Sequence, residues 1–170
     1  MNEFVSRKEH AKLLLNAIDE KIRVLPEMNR ISDLPIDPPA SRQTTLANTY
    51  IHAGEKVNTI PGFCRLGFDW RITPEYTVDW ARQTITGVLD ELKATVPDFQ
   101  YTIKELDYMD STLVPKDTPV VNAFRNAGET YLGKKLEFNL SPGFDDQRYI
   151  VHQGGLDQCI VYGPGPLCIA

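Results

Sequence analysis

The alternation of side chains over residues 62–72 constrains the fold of this chain more than any other feature. One set of alternating positions is apolar and comprises Cys64, Leu66, Phe68, Trp70 and Ile72. The intervening set carries the charged groups and comprises Phe63, Arg65, Gly67, Asp69 and Arg71. Successive side chains of a strand point to opposite faces. The pattern therefore predicts a strand whose apolar face meets helices and whose charged face borders a cleft or solvent.

One helix is predicted before this strand in the sequence and one after it. Residues 10–25 carry one apolar stripe at helical spacing, formed by Ala11, Leu15, Ile18, Ile22 and Leu25. Pro26 ends that helix. Residues 77–94 repeat the pattern at Ala81, Ile85, Val88 and Leu92. Thr77 is the predicted N-cap of this second helix.

Two further strands complete a recognisable order of elements. Residues 45–52 are rich in strand formers, and Phe99, Tyr101 and Ile103 alternate with polar residues. One more strand at the N-terminus would give β-α-β-β-α-β, the ferredoxin-like split motif. Residues 1–5 make only a short candidate for it. We therefore predict an α+β domain over residues 1–107, an antiparallel sheet with two helices on one face, whose first strand is short or missing.

Residues 108–170 have a different character. Thr118 and Pro119 begin a helix that Gly133 stops, and residues 145–152 form a shorter one. Strands are predicted at residues 136–140 and at the apolar run 159–162. Too few residues are present to cover a parallel sheet on both faces. The prediction is an incomplete α/β segment.

Composition excludes several classes of partner. The chain has 170 residues, a net charge of −5 and no basic run, which argues against nucleic acid and anionic membranes. No apolar stretch approaches the roughly 18 residues of a membrane span. The three cysteines are too few and too widely spaced for a disulfide framework. A cytoplasmic location is the expectation.

Three blocks of sequence resemble the M20 family of zinc-dependent deacylases and peptidases. Residues 57–62 read Val-Asn-Thr-Ile-Pro-Gly and residues 67–74 read Gly-Phe-Asp-Trp-Arg-Ile-Thr-Pro, similar to the signature of that family's lid domain. Residues 141–149, Ser-Pro-Gly-Phe-Asp-Asp-Gln-Arg-Tyr, resemble its small-residue loop. Residues 158–166 resemble the stretch that leads to its final metal-binding histidine. The closest similarity is to the acetylornithine deacetylase and succinyl-diaminopimelate desuccinylase group.

The resemblance implies a two-domain amidohydrolase that removes an acyl group from an N-acyl amino acid or small peptide. Such enzymes hold two zinc ions, and their lid domain forms a homodimer. Residues 1–107 would be the lid, and residues 108–170 the C-terminal part of the catalytic domain, ending before the final metal histidine. The family's catalytic and metal-binding residues have no counterparts in this sequence, so none is assigned and the chain alone is expected to be inactive.

Four residues are predicted to bind substrate. The resemblance implies that Asn58 hydrogen-bonds a substrate carbonyl or carboxylate. Arg71, on the charged face of its strand, could clamp a carboxylate with two hydrogen bonds, and Arg148 could hold the free carboxylate of the substrate. Gly143, in the same loop region as Arg148, completes the set. Each has an alternative. Asn58 also suits a turn, Gly143 a positive φ or a close backbone approach, and both arginines can form ion pairs.

Two other functions remain open on the sequence alone. One is a non-catalytic module that dimerises through an edge of the lid sheet or binds a small ligand. The other is an unrelated ferredoxin-like regulatory domain, which would not need residues 141–148 or 158–166.

Overall fold

The computed structural model describes residues 2–6, 8–54, 56, 58–59 and 61–163, with side chains from residue 10 onward. The chain divides into two compact units. The first comprises residues 1–31 and 43–109, and the second comprises Ser32–Arg42 and residues 110–170. Val57 and Ile60 of the block at residues 57–62, and residues 164–166 of the block at residues 158–166, lie outside the described residues.

The first unit is an antiparallel sheet of four described strands with helices packed on one face. The strands are β1 (Asn2–Ser6), β2 (Thr45–Ala53), β3 (Cys64–Arg71) and β4 (Ile103–Glu105). Their order across the sheet is β2-β3-β1-β4, and every neighbouring pair is antiparallel. The helices are α1 (Lys8–Ala17, continued by a π-helical turn Ile18–Ile22), α2 (Pro26–Asn29) and α3 (Val78–Thr95). This arrangement confirms the predicted α+β, ferredoxin-like fold.

The first strand is short and present. β1 pairs along its whole length with β3, from Asn2 opposite Phe68 to Ser6 opposite Cys64. Pro26 does not end α1, which stops at Ile22; it occupies the first turn of α2, where a missing N–H costs nothing.

The strand predicted from Phe99 onward is shorter than expected. β4 begins only at Ile103. Phe99 is instead buried against the ring of His10, with centroids 5.2 Å apart. The hydroxyl of Tyr101 donates to Asp90 Oδ1 of α3 at 2.6 Å, and this bond raises the pKa of Tyr101 to about 12. Side-chain contacts with the helices have replaced strand pairing at these positions.

The hydrophobic core of the first unit lies between the helices and one face of the sheet. The predicted apolar face of β3 is confirmed, because Cys64, Leu66 and Phe68 are all buried there. Helix residues complete the core, among them Leu14, Ile18, Ile85 and Leu89. Burial also raises the pKa of the Cys64 thiol.

Arg82 connects α3 to the end of the sheet. Its Nε donates to Glu105 Oε1 at 2.6 Å and its Nη2 to Glu105 Oε2 at 3.0 Å. The same guanidinium bonds Asp79 and lies 5.3 Å from the ring centroid of Tyr108. This two-pronged contact lowers the pKa of Glu105.

We expect Glu105→Gln to reduce the free energy of unfolding by about 0.5–1 kcal/mol at pH 7, because the pair is partly exposed. A carboxylate with a lowered folded pKa stabilises the protein above its unfolded pKa, and this contribution is lost as pH falls. The difference between Glu105→Gln and the parent should therefore shrink below about pH 4.5. Urea denaturation over a pH series measures it. Glu20→Gln, at an exposed position of the π-helical turn, is the matched control. If the stability difference between Glu105→Gln and the parent is as large at pH 3.5 as at pH 7, the lowered pKa of Glu105 is contradicted.

Among its described residues the second unit contains two α-helices, a short 3₁₀ helix (Pro39–Ser41) and no extended sheet. The α-helices are α4 (Pro119–Ala127, continued by a π-helical turn Gly128–Leu132) and α5 (Gln147–His152). Gly133 ends α4 with φ 60°, as predicted. Residues 136–140 are not a strand, and only Leu140 forms a bridge, with Ile36. Residues 159–162 are not a strand either, and Val161 and Tyr162 are 59% and 61% exposed.

These two strand predictions are wrong for a physical reason. A parallel strand is stable only when neighbouring strands satisfy its backbone groups on both sides. No such neighbours occur among the described residues of the second unit. Across the described part of the chain, no helix is both long and apolar enough to cross a bilayer.

Candidate functional site

A short loop and the helix α5 that follows it carry two of the predicted substrate-binding residues, Gly143 in the loop and Arg148 in the first turn of α5. The turns of the loop are set by local bonds. The Gly143 N–H donates to Ser141 Oγ at 3.1 Å, and the Gln147 N–H donates to Asp145 Oδ1 at 3.1 Å. Serine and aspartate side chains favour turns by forming such bonds to nearby backbone groups. Residues 141–147 thus reach the helix along a defined path.

Arg148 is held in a fixed direction by this loop. Its Nη2 donates to the carbonyl oxygen of Gly143 at 3.2 Å, and its guanidinium lies 4.9 Å from the ring centroid of Phe144. Phe144 in turn meets Tyr149 edge to face, with centroids 5.9 Å apart. A guanidinium positioned by an aromatic face and a carbonyl presents a planar set of donors that matches a carboxylate.

Gly143 lies beside Arg148. Of the two predicted reasons for a glycine there, a positive φ and a close approach, the first is wrong. The described glycines with positive φ are Gly54, Gly133 and Gly155, so Gly143 does not need a left-handed conformation. A β-carbon at this position would lie 3.1 Å from Ser141 Oγ. Close approach of the loop to itself is the constraint.

Arg71 is the last residue of β3 and faces away from the core. Its Nε donates to Asp69 Oδ2 at 3.1 Å, and the two side chains are 58% and 37% exposed. The ion pair lies within one strand rather than across two. An exposed pair of this kind stabilises a fold by at most about 1 kcal/mol. The substrate-binding role of Arg71 remains a prediction.

Asn58 is exposed in the turn between β2 and β3. The turn is marked by a bond from the Thr59 N–H to the Lys56 carbonyl at 3.3 Å. Arg71 occupies the opposite end of β3, roughly 23 Å beyond Cys64 at about 3.3 Å per residue. The structure therefore brings Gly143 and Arg148 together but separates Asn58 from Arg71 within the first unit.

One close contact on the open face of the sheet was not predicted. Tyr50 of β2 lies opposite Gly67 of β3, and its ring occupies the space that a β-carbon at Gly67 would need. Asn48 Nδ2 bonds the Gly67 carbonyl at 3.0 Å beside a bulge between Asn48 and Tyr50. A glycine inside an alternating strand is the sequence signal for such an approach.

We expect Gly67→Ala to reduce the free energy of unfolding by about 1–2 kcal/mol, because the new methyl group must displace the Tyr50 ring. Combining it with Tyr50→Ala should recover part of the loss. Gly62→Ala is the control, since nothing lies within 4 Å of a β-carbon there. Urea denaturation of the variants measures the effect. Equal stability of Gly67→Ala and Gly62→Ala would show that Tyr50 does not restrict this position.

The described residues do not form a metal site. No group of three or more histidine, cysteine, aspartate or glutamate side chains among them is placed to hold a metal ion. His152 Nε2 lies 3.1 Å from the Asp110 carbonyl oxygen and 3.4 Å from Thr112 Oγ1. His52 is exposed on β2, and His10 is buried beside Phe99. The described histidines therefore do not form part of a metal-ligand set.

Comparison with known proteins identifies relatives of both units. The family model of the peptidase dimerisation domain (M20) matches residues 5–97. A succinyl-diaminopimelate desuccinylase of Marinobacter nauticus is 29% identical over 121 residues, which are 71% of this chain and 30% of the relative. A protein of the same name from Hydrogenovibrio crunogenus is 28% identical over 159 residues, 91% of this chain and 39% of the relative. The chain thus spans well under half the length of these curated relatives.

Two solved structures share the fold. The YXEP protein of Bacillus subtilis, described as a dinuclear metal-binding peptidase of the M20 family, aligns with a TM-score of 0.55 and 18% identity. That alignment covers 92% of this chain and 38% of the other. The M20 metallo-carboxypeptidase Sso-CP2 of Sulfolobus solfataricus aligns with a TM-score of 0.54 and 12% identity, covering 92% and 49%.

Proposed function

Because this chain belongs to the M20 peptidase dimerisation-domain family, we propose that it is part of a metal-dependent amidohydrolase that removes an acyl group from an N-acyl amino acid. The observation that carries the proposal is the match over residues 5–97, followed by a loop that fixes Arg148 in direction. The names of the curated relatives support the reaction class, since desuccinylases cleave an acyl–nitrogen bond.

The proposed role of the chain's own residues is to bind and orient the substrate. Arg148 would hold a free carboxylate of the amino acid by paired hydrogen bonds, with Gly143 allowing the loop to stay close. Arg71 and Asn58 are proposed as further polar contacts. Because they lie at opposite ends of β3, one small substrate cannot touch both of them in the same copy of the first unit.

Zinc is the metal we propose for the complete hydrolase. A bound zinc ion lowers the pKa of water and polarises a carbonyl group in such enzymes. The described residues include no ligand set for it, and substrate binding and assembly are the roles we propose for this chain. A cytoplasmic location belongs to the same proposal and fits the free thiols of Cys64 and Cys159.

We propose that the acyl group is small. Assays of N-acetyl and N-succinyl substrates side by side test which of the two is preferred. Acetylornithine deacetylase and succinyl-diaminopimelate desuccinylase belong to the group that the sequence resembles, and both curated relatives carry the second name. A succinyl group adds a second carboxylate to the substrate. If a second cationic side chain contacts that carboxylate, N-succinyl amino acids should be preferred over N-acetyl amino acids.

A homodimer through the first unit is part of the proposal. β2 lies at an outer edge of the sheet and carries no lysine, arginine, aspartate or glutamate along Thr45–Ala53. Ile51 on this strand is 55% exposed. An uncharged edge strand presents unpaired backbone groups that invite pairing with another strand. A second copy of β2 is the proposed partner.

Turnover by a longer protein tests the proposed function. The chain is extended at both ends to the length of its relatives and assayed against N-acetyl and N-succinyl amino acids. We expect hydrolysis that a chelator abolishes and added zinc restores, and none from the 170 residues alone. Absence of turnover on the whole panel, with metal supplied, would overturn the proposal. A dimeric but inactive longer protein would instead support a binding or assembly module.

A further inference from the structure

The segment Ser32–Arg42, called the inserted segment below, lies between α2 and β2 in the sequence but groups with the second unit. Its two ends are joined, because the Ser32 N–H donates to the Arg42 carbonyl at 2.7 Å. The flanking residues Ile31 and Gln43 form an antiparallel bridge. A short segment with adjoining ends that packs on itself is an Ω-loop, a type that is frequently functional.

Internal contacts give the inserted segment a fixed path. Arg42 Nε donates to the Ile36 carbonyl at 3.1 Å, and the Leu34 N–H donates to Ser32 Oγ at 3.1 Å. Ile36 and Ser32 are buried, at 4% and 2% exposure. Pro35, Pro38 and Pro39 each fix one backbone angle, which lowers the entropy that the segment loses on ordering.

This segment binds the backbone of Leu140. The Asp37 N–H donates to the Leu140 carbonyl at 3.0 Å, and the Leu140 N–H donates to the Pro35 carbonyl at 2.9 Å. Together these bonds form a parallel bridge between Ile36 and Leu140. Leu140 immediately precedes Ser141, where the loop begins that carries Gly143 and leads to Arg148 of α5.

We propose that the inserted segment positions the loop of residues 141–146 and, through it, the Arg148 side chain. This inference rests on the proposed function. It means that the inserted segment, which lies between α2 and β2 in the sequence, determines where the substrate carboxylate is bound. The loop has two fixed ends, Leu140 at its start and α5 at its finish. Arg148 reaches back from α5 to Gly143, so release of Leu140 lets Gly143 and the guanidinium move together away from the binding position.

Hydrogen exchange of the 170-residue chain tests the structural part of the inference. The amides of Leu140 and Asp37 should be protected. Ile36→Ala should speed exchange of Leu140 and of residues 141–148 by about tenfold or more, because the segment loses its buried anchor. Amides of β3 and α3 should be unaffected. Ile31→Ala is the matched control, since the same change is made there at a side chain that is 59% exposed.

Two outcomes would overturn the inference. One is rapid exchange of Leu140 in the parent chain. The other is unchanged exchange over residues 140–148 in Ile36→Ala. If Ile36→Ala unfolds the whole second unit, Arg42→Gln decides, because it removes only the bond to the Ile36 carbonyl. Loss of protection at Leu140 in that variant supports the inference, and full protection contradicts it.

Kinetics of the longer protein test the functional part. Ile36→Ala should raise KM about tenfold with kcat nearly unchanged, the pattern of lost uniform substrate binding. Ile36→Val should restore KM, whereas a loss of kcat alone would contradict a positioning role. An inactive longer protein would refute the proposed function and leave the exchange result to decide the inference by itself.

Discussion

Arg148→Ala is expected to lower kcat/KM of the longer hydrolase about 100-fold. The variant removes a cation that the loop already holds in direction through the Gly143 carbonyl and the Phe144 ring. A lost hydrogen-bonded charge contact costs about 2–4 kcal/mol when its partner is left desolvated, and each 1.4 kcal/mol is a factor of ten in rate. The kcat/KM of Arg148→Lys should lie between that of the parent and that of Arg148→Ala, because lysine keeps the charge but lacks the planar guanidinium.

Steady-state kinetics on matched substrates separates carboxylate binding from a general loss of structure. A substrate whose free carboxylate is replaced by an amide should bind weakly to the parent and lose nothing more in Arg148→Ala. Arg125→Ala is the control, since Arg125 also lies over an aromatic ring, 5.4 Å from the centroid of Phe138. Equal losses for both substrates would show that Arg148 does not bind the carboxylate.

A pair of lysines on β2 is expected to convert the proposed homodimer to a monomer. Thr49 and Ile51 are both exposed on this uncharged edge strand. In a twofold pairing of two copies, Thr49→Lys with Ile51→Lys places like charges close together, and charged edges oppose strand pairing. The dissociation constant should rise at least about 100-fold, since two or more opposed pairs contribute.

Sedimentation over a concentration series of the 170-residue chain measures this change. Leu106→Lys is the control, because Leu106 is 44% exposed just after β4, at the other edge of the sheet. A dimer that survives both lysines on β2 would reject this edge as the interface. Dissociation caused by Leu106→Lys alone would move the interface to the β4 edge.

The proposed site was only partly foreseeable. The resemblance of residues 141–149 to a small-residue loop predicted a loop before Arg148, and local bonds form it. The contact between Arg148 and Gly143 joins residues five apart and could be guessed from the sequence. The bridge from Ile36 to Leu140 could not, because no local pattern marks two segments a hundred residues apart as neighbours.

The sequence by itself determined the elements whose stability is local. The alternation along β3, the apolar stripe of α3 and the cap at Thr77, whose Oγ1 accepts from the Trp80 N–H at 3.2 Å, all follow from neighbouring residues. Only the tertiary structure decided where pairing occurs. β1 exists because β3 pairs with it, and β4 starts late because Phe99 and Tyr101 contact helices. Residues 159–162 have no partner strand within the part of the chain that the structure describes. Backbone hydrogen bonds between distant segments decide such elements, and periodicity in one segment does not specify its partner.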